Sequence, residues 1–124
     1  MLNLDTHILL FALSGELTKK EKKLLSEHEW SISGIVLWEI AMLSKLKRIE
    51  LSIDDKEVIQ ILSRIHTWPI TVDIARALMH IDIKSDPADE IIAATSIVHK
   101  VPLLTRDKTL KKSKIIPLAW HSEL

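Results

Sequence analysis

The sequence predicts an α/β fold in which a short parallel sheet is covered by helices on both faces. Two observations predict it. Short apolar runs alternate with helical stretches along the whole chain, the pattern of strands buried on both sides. The 124 residues, 47% hydrophobic and 27% charged, with two glycines and four prolines and no internal repeat, offer no linker at which to divide 1–124 into more than one domain. A domain of this length buries roughly two thirds of its unfolded surface, enough for a core without disulfides or structural zinc.

The elements follow in order. Residues 2–4 form a short apolar run that stops at Asp5, and 6–13 and 18–29 read as helices ending near Gly15 and Trp30. Residues 30–33 read as a second strand, 34–47 as a strong helix and 54–65 as another. A brief strand over 68–71 and a helix over 72–80 come next. The clearest boundary is Asp86-Pro87-Ala88-Asp89, with an acid at the cap, proline at the first helical position and an acid at the third. It opens a helix running to about residue 99. Residues 101–105 read as a strand, Asp107 starts a helical turn, and 115–118 close the chain as a last strand before Trp120.

Cysteine is absent, which excludes a thiol nucleophile, a Cys-type metal site and a disulfide scaffold, and points to a reducing cytoplasm. The first five residues carry an acid and no base, and the longest apolar stretch, 8–13, is far below the ~18 residues that span a bilayer. Neither a signal peptide nor a membrane anchor is expected. Lys plus Arg and Asp plus Glu are 17 each, so no global basic field marks a nucleic-acid binder. Basic clusters at Lys19, Lys20, Lys22 and Lys23, at Lys45, Lys47 and Arg48, and from Arg106 to Lys114 read as solvated faces.

In open parallel sheets the functional crevice lies beyond the carboxyl ends of the strands. Asp5 and Asp107 sit there, and Asp89 lies in the first turn of its helix on one face with Ile92, Ala93 and Ser96. Capping and the helix dipole account for any one of these acids singly, at about 0.5–2 kcal/mol. They do not account for Glu39. Its neighbours one turn away, Ile35, Val36, Met42 and Leu43, are all apolar, and a carboxylate on such a face requires a cation, a metal or a cavity. Three such Asp residues and one half-buried Glu form an oxygen-only donor set suited to Mg²⁺ or Mn²⁺. Several converging carboxylates and a divalent ion imply each other, because without the ion their pKa values must rise. With four acids so gathered, the remaining 13 face 17 cations and the rest of the surface is net basic.

Four blocks now carry a resemblance: Leu4-Asp5-Thr6-His7-Ile8-Leu9-Leu10; Ser31-Ile32-Ser33 running into Leu37-Trp38-Glu39-Ile40-Ala41; Asp86-Pro87-Ala88-Asp89 with Ile92-Ala93-Ala94-Thr95; and Leu103-Leu104-Thr105-Arg106-Asp107. In order and spacing they resemble the PIN-domain ribonucleases, in particular the toxin subunits of VapBC-type toxin–antitoxin pairs. The resemblance covers essentially the whole chain, to Ile116-Pro117-Leu118 and Trp120. It implies a three-layer α/β/α sandwich with a short central parallel sheet. Asp5, Glu39, Asp89 and Asp107 match the acidic quartet that holds Mg²⁺ or Mn²⁺. The implied reaction is hydrolysis of single-stranded or structured RNA by metal-activated water, leaving a 5′-phosphate and a 3′-hydroxyl. Thr6, Ser33 and Thr105 match small hydroxyl positions beside the acids, where they orient a carboxylate or serve as plain caps. Asp86 matches a frequent acid of this branch, either supporting the site or capping the helix. The implied partners are RNA, a small antitoxin that lays a helix or extended tail across the groove, and a second copy of the chain.

Two departures from the branch stand out. Lys84-Ser85 stands where a basic pair is common, and Glu90 where an arginine is common, which puts grip on generic RNA in question. A PIN scaffold acting as an RNA- or partner-binding module with little turnover is therefore the alternative reading, with the intact quartet against it. A phosphoacceptor signalling domain lacks its acid after the strand at 68–71, and no Asp-x-Asp follows Asp5 to support a phosphatase. His7, His28, His66, His80, His99 and His121 show no zinc-ligand spacing, although His7 is close enough to Asp5 to approach substrate. Trp30, Trp38, Trp68 and Trp120 read as core and dimer contacts rather than base-stacking platforms.

Overall fold

The first two strands run directly into residues that cap the next helix, Asp5 and Ser33, and this sets the frame of the molecule. The computed structural model describes residues 1–119, so Trp120 and His121 lie outside the described residues. The order is β1 (Leu2–Leu4), α1 (Thr6–Ser14), α2 (Lys19–Glu27), β2 (Trp30–Ser33), α3 (Gly34–Lys45), α4 (Lys56–Arg64), β3 (His66–Trp68), α5 (Val72–Leu78), α6 (Pro87–His99), β4 (Leu103–Leu104) and α7 (Lys108–Lys111). The four strands pair in parallel in the order β3-β2-β1-β4. Leu2, Asn3 and Leu4 point alternately to opposite faces, and all three are buried, as in a sheet covered on both sides.

The caps explain the boundaries. Asp5, Thr18, Ser33, Thr71 and Asp107 each accept a backbone N–H at the start of a helix. Gly15 ends α1 in the left-handed region at φ 76°, its N–H returning to the Phe11 carbonyl. The third strand is displaced from the expected 68–71 to His66–Trp68. Pro69 has no N–H for a ladder, and Thr71 is already committed to capping α5 through Ile74 N–H. The expected closing strand at 115–118 shrinks to a single parallel bridge, Leu103 to Leu118. Pro117 cannot donate, so the pairing rests on Leu103 N–H to Pro117 O at 2.8 Å and Ala119 N–H to Leu103 O at 2.9 Å.

The core is built from Leu4, Ile8, Leu9, Ile32, Val36, Ile40, Ile92, Ala93, Leu103, Leu104 and Leu110, each at most 1% exposed. One polar residue sits among them. Asn3 on β1 is fully buried and donates to Ile92 O at 3.1 Å and Ser96 Oγ at 2.9 Å, fastening α6 to the central strand. Among the described residues, no helix is long and apolar enough to cross a membrane.

Candidate metal centre

Strand order brings the site together. β1 lies between β2 and β4, so the carboxyl ends that carry Ser33, Asp5 and Thr105 stand side by side. The chain leaves β1 toward β2 on one flank and returns at β4 on the other, which makes the β1/β4 edge the switch point where such sheets bind ligands. Asp5 N–H bonds Leu104 O at 3.1 Å, and Asp107 follows two residues after Thr105.

Each acid is held by its own donor. Thr105 Oγ donates to Asp5 Oδ2 at 2.5 Å and accepts Asp107 N–H at 3.0 Å, so one hydroxyl ties two of the four acids. Thr6 Oγ makes a very short hydrogen bond to Glu39 Oε1, reaching from the first turn of α1 to the middle of α3. Ser85 Oγ donates to Asp89 Oδ2 at 3.1 Å. Asp107 Oδ1 accepts Thr109 N–H at 2.8 Å and Leu110 N–H at 3.1 Å at the start of α7. Ser33 is buried, and its hydroxyl accepts Ile35 N–H at the start of α3 rather than meeting an acid. Asp86 stands at the N-cap position of α6 but is exposed and makes no side-chain capping bond.

Electrostatics link the four acids. The Asp89 carboxyl is pushed up to about 6, first by burial and then by the negative charge of Asp5, with Asp107 and Glu39 adding to it. All three other acids thus act on Asp89. Arg106, next to Asp107 in the chain, pairs with a different acid. Its Nε lies 2.8 Å from Glu21 Oε2, its Nη2 lies 2.7 Å from Glu21 Oε1, and its guanidinium stacks 4.0 Å over Phe11. Arg106 was expected on a solvated basic face; it is instead committed to a buried partner. His7 keeps a looser contact, with Nδ1 4.0 Å from Asp5 Oδ1 on a largely exposed ring.

The donor set fits an oxygen-seeking divalent ion in chemistry: it is oxygen-only and half-buried to buried. In the present side-chain arrangement the acids stand apart, and among the described residues no three of them enclose a single point. Each acid is instead bonded to its own hydroxyl or amide.

The sequence alone does not point to Asn3, Glu21 or Ser85 as site-supporting residues. For Glu21 a signal existed, the Thr18-x-x-Glu21 capping box at the start of α2, with Thr18 N–H 2.9 Å from Oε1 and Glu21 N–H 3.2 Å from the threonine hydroxyl. Nothing local foretold that the same carboxylate binds Arg106, 85 positions on.

A parallel α/β sheet with hydroxyl-supported acids at its carboxyl edge defines a PIN-like nuclease architecture. The PIN-domain family model matches residues 3–115, and the chain belongs to that family. It is 32% identical to ribonuclease VapC22 of Mycobacterium tuberculosis, covering 71% of this chain and 72% of that protein. Among solved structures it is similar to a toxin–antitoxin complex from Klebsiella pneumoniae, with 25% identity, 88% and 89% of the two chains covered and a TM-score of 0.68. It also shares its fold with VapBC2 from Rickettsia felis bound to a promoter DNA fragment, at 20% identity, 98% and 100% coverage and a TM-score of 0.73.

Proposed function

We propose that this protein is a Mg²⁺- or Mn²⁺-dependent endoribonuclease, the toxin of a cytoplasmic toxin–antitoxin pair. The observation that carries this reading is the gathering of Asp5, Glu39, Asp89 and Asp107 at the carboxyl edge of the sheet, where the charges of the other three act on Asp89. The likeness to a named ribonuclease and to a toxin–antitoxin complex supports the reaction class and the partner.

Asp5, Glu39, Asp89 and Asp107 would hold the metal, which supplies charge neutralisation at the phosphodiester and a water acidified enough to attack it. The rest of the work falls to the chain itself. Thr105 fixes the plane of the Asp5 carboxylate and the position of Asp107. Thr6 fixes Glu39, which α3 carries into the site from the far side. The exposed ring of His7, beside Asp5, is placed to meet the RNA.

We assign the antitoxin to an open cleft of about 800 Å³ beside His7, lined largely by apolar side chains of α1, α3 and 49–58, including Leu10, Phe11, Leu43, Leu51 and Val58. A helical segment lying there would be held in the helix-in-groove mode of recognition. We read the exposed apolar side chains of Trp38 at 57%, Val72 at 75% and Met79 at 80% as candidates for contact in a homodimer.

The test is cleavage of a labelled pool of tRNA and single-stranded RNA with Mn²⁺, with Mg²⁺ and with EDTA, by the wild type and by Glu39→Gln. Metal-dependent cutting that the Gln variant loses supports the nuclease. A folded, metal-loaded wild type that cuts nothing favours the binding-module reading, and co-purification with the product of the adjacent small reading frame then becomes the decisive measurement.

A further inference from the structure

The start of α6 departs from ordinary helix capping in a way that bears on the site. In a capping box the acid at the third helical position reaches back to the N-cap N–H. That position is Asp89, yet its Oδ2 accepts the Ser85 hydroxyl at 3.1 Å. Glu90, one residue later, reaches back past the N-cap Asp86, its Oε2 2.9 Å from Ser85 N–H. Ser85 is thus held at its backbone by Glu90 while its hydroxyl serves Asp89.

Ser85 is also secured from its other side. Asp82, three residues earlier, accepts Ser113 Oγ at 2.5 Å and Lys114 N–H at 2.7 Å, tying the segment before α6 to the turn after α7. The serine is therefore fixed by Glu90 on one side and by the Asp82 clasp on the other. Asp5 and Glu39 each have a threonine hydroxyl on one oxygen, and Ser85 supplies the corresponding donor for the third acid.

We propose that Ser85 and Glu90 are positioning residues, Glu90 holding Ser85 so that its hydroxyl sets the Asp89 carboxylate for metal binding. The proposal rests on the metal-site reading above. A donor on one carboxylate oxygen restricts the rotation of the group and leaves the other oxygen for the ion, and such partners change metal affinity by about 10–100-fold. The glutamate that departs from the branch's common arginine thus acquires a specific task in this chain.

The experiment is calorimetric titration of the intact protein with Mn²⁺ alone, with melting temperature and RNA kcat and KM measured in parallel. Ser85→Ala and Glu90→Ala are expected to weaken Mn²⁺ about tenfold and to lower kcat with KM unchanged. Glu90→Gln, whose amide oxygen still accepts the Ser85 N–H, stays within about twofold of wild type by that argument. Ser85→Ala keeps the backbone contact to Glu90, so it decides the matter even if Glu90→Ala does not fold. Wild-type Mn²⁺ affinity in Ser85→Ala and Glu90→Ala, with only the melting temperature lowered, reduces the pair to a helix cap and overturns the proposal. A Glu90→Gln as weak as Glu90→Ala also overturns it, since charge rather than the hydrogen bond is then at work. If the folded wild type takes up no Mn²⁺, the metal-site reading falls too; if Asp89→Asn abolishes binding while Ser85→Ala does not change it, this proposal falls alone.

Discussion

Arg106 places two nitrogens on the two oxygens of Glu21, at 2.8 and 2.7 Å, although Glu21 is only 1% exposed. The same glutamate accepts Thr18 N–H, so it joins the first turn of α2 to the loop between β4 and α7. That loop is Thr105-Arg106-Asp107, with an acid-binding hydroxyl before the arginine and a candidate ligand after it. The ion pair lies outside the acid cluster but holds the loop that carries Thr105 and Asp107 against α2.

Arg106→Ala leaves a buried carboxylate without its partner, and with the arginine itself partly exposed the cost is about 1–3 kcal/mol. The expected outcome in chemical denaturation is a lower midpoint at unchanged m-value. Replacing both partners by leucine recovers much of the loss, because the desolvation penalty disappears with the charges. If Arg106→Ala unfolds at the wild-type midpoint, the pair contributes nothing to stability.

The pair also sets an acid limit. The hydrogen bond from Arg106, reinforced by Thr18 and opposed by burial, holds the Glu21 carboxyl below its ordinary 4.5. The folded state therefore binds fewer protons than the unfolded chain in this range. The stabilisation is complete above pH 4.5 and is lost as the pH falls through the lower folded value. Asp82, lowered by Ser113 and Lys114, has the same sign. Melting temperatures taken from pH 6 to pH 3 are expected to fall more steeply for wild type than for Glu21→Gln; parallel curves refute the assignment.

Thr105 makes a test of hydroxyl orientation that a change of bulk does not explain. Thr105→Val is close in shape but strips the donor from Asp5 and the acceptor from Asp107 N–H. A buried group left unsatisfied costs about 1–3 kcal/mol, and cleavage is expected to drop at least tenfold. Thr105→Ser restores both bonds, so its activity returns toward wild type. A fully active valine variant rules out the orienting role.

Trp38 is exposed on α3, one residue before Glu39. Surface changes of this kind move stability by no more than about 0.5 kcal/mol. Trp38→Glu is therefore expected to leave the melting profile of the monomer intact while converting a dimer to a monomer in sedimentation. A wild type that sediments as a monomer at all concentrations removes the dimer from the model of function.

What the sequence disclosed follows from what is local. The runs ending at Asp5 and at Thr105-Arg106-Asp107, and the proline-marked start of α6, are short-range signals, and their elements stand where the pattern puts them. Glu39 was legible as an acid among apolar neighbours, and it is half-buried with a threonine on its oxygen. The third strand slipped because Trp68-Pro69-Ile70-Thr71 is apolar enough to read as a strand, while the ladder needs N–H groups that Pro69 lacks and Thr71 is occupied as a cap. Arg106 with Glu21 and Asn3 with Ser96 were not legible, since partners 85 and 93 positions apart leave no periodic trace. Ser85 with Glu90 was close enough to see, but their spacing is not that of a standard capping box.

The acid cluster gives a stability test that does not depend on catalysis. Burial and three neighbouring acids raise the Asp89 carboxyl from 3.8 to about 6. The folded state then holds a proton that the unfolded chain has released, so stability declines as pH rises from about 3.8 through 6 and stays lower above it. Asp89→Asn removes the penalty. In EDTA at pH 7.5 it is expected to melt higher than wild type by a few degrees, on the order of 1 kcal/mol once solvent screening of a half-exposed group is allowed for. The advantage shrinks toward pH 4, where the wild-type carboxyl is protonated as well. Saturating Mn²⁺ reverses the order, raising the wild type through preferential binding to the folded state and leaving Asp89→Asn nearly unmoved. An Asn variant that melts at or below wild type in EDTA at pH 7.5 shows that the four acids do not repel one another, and removes the electrostatic case for a metal at this edge of the sheet.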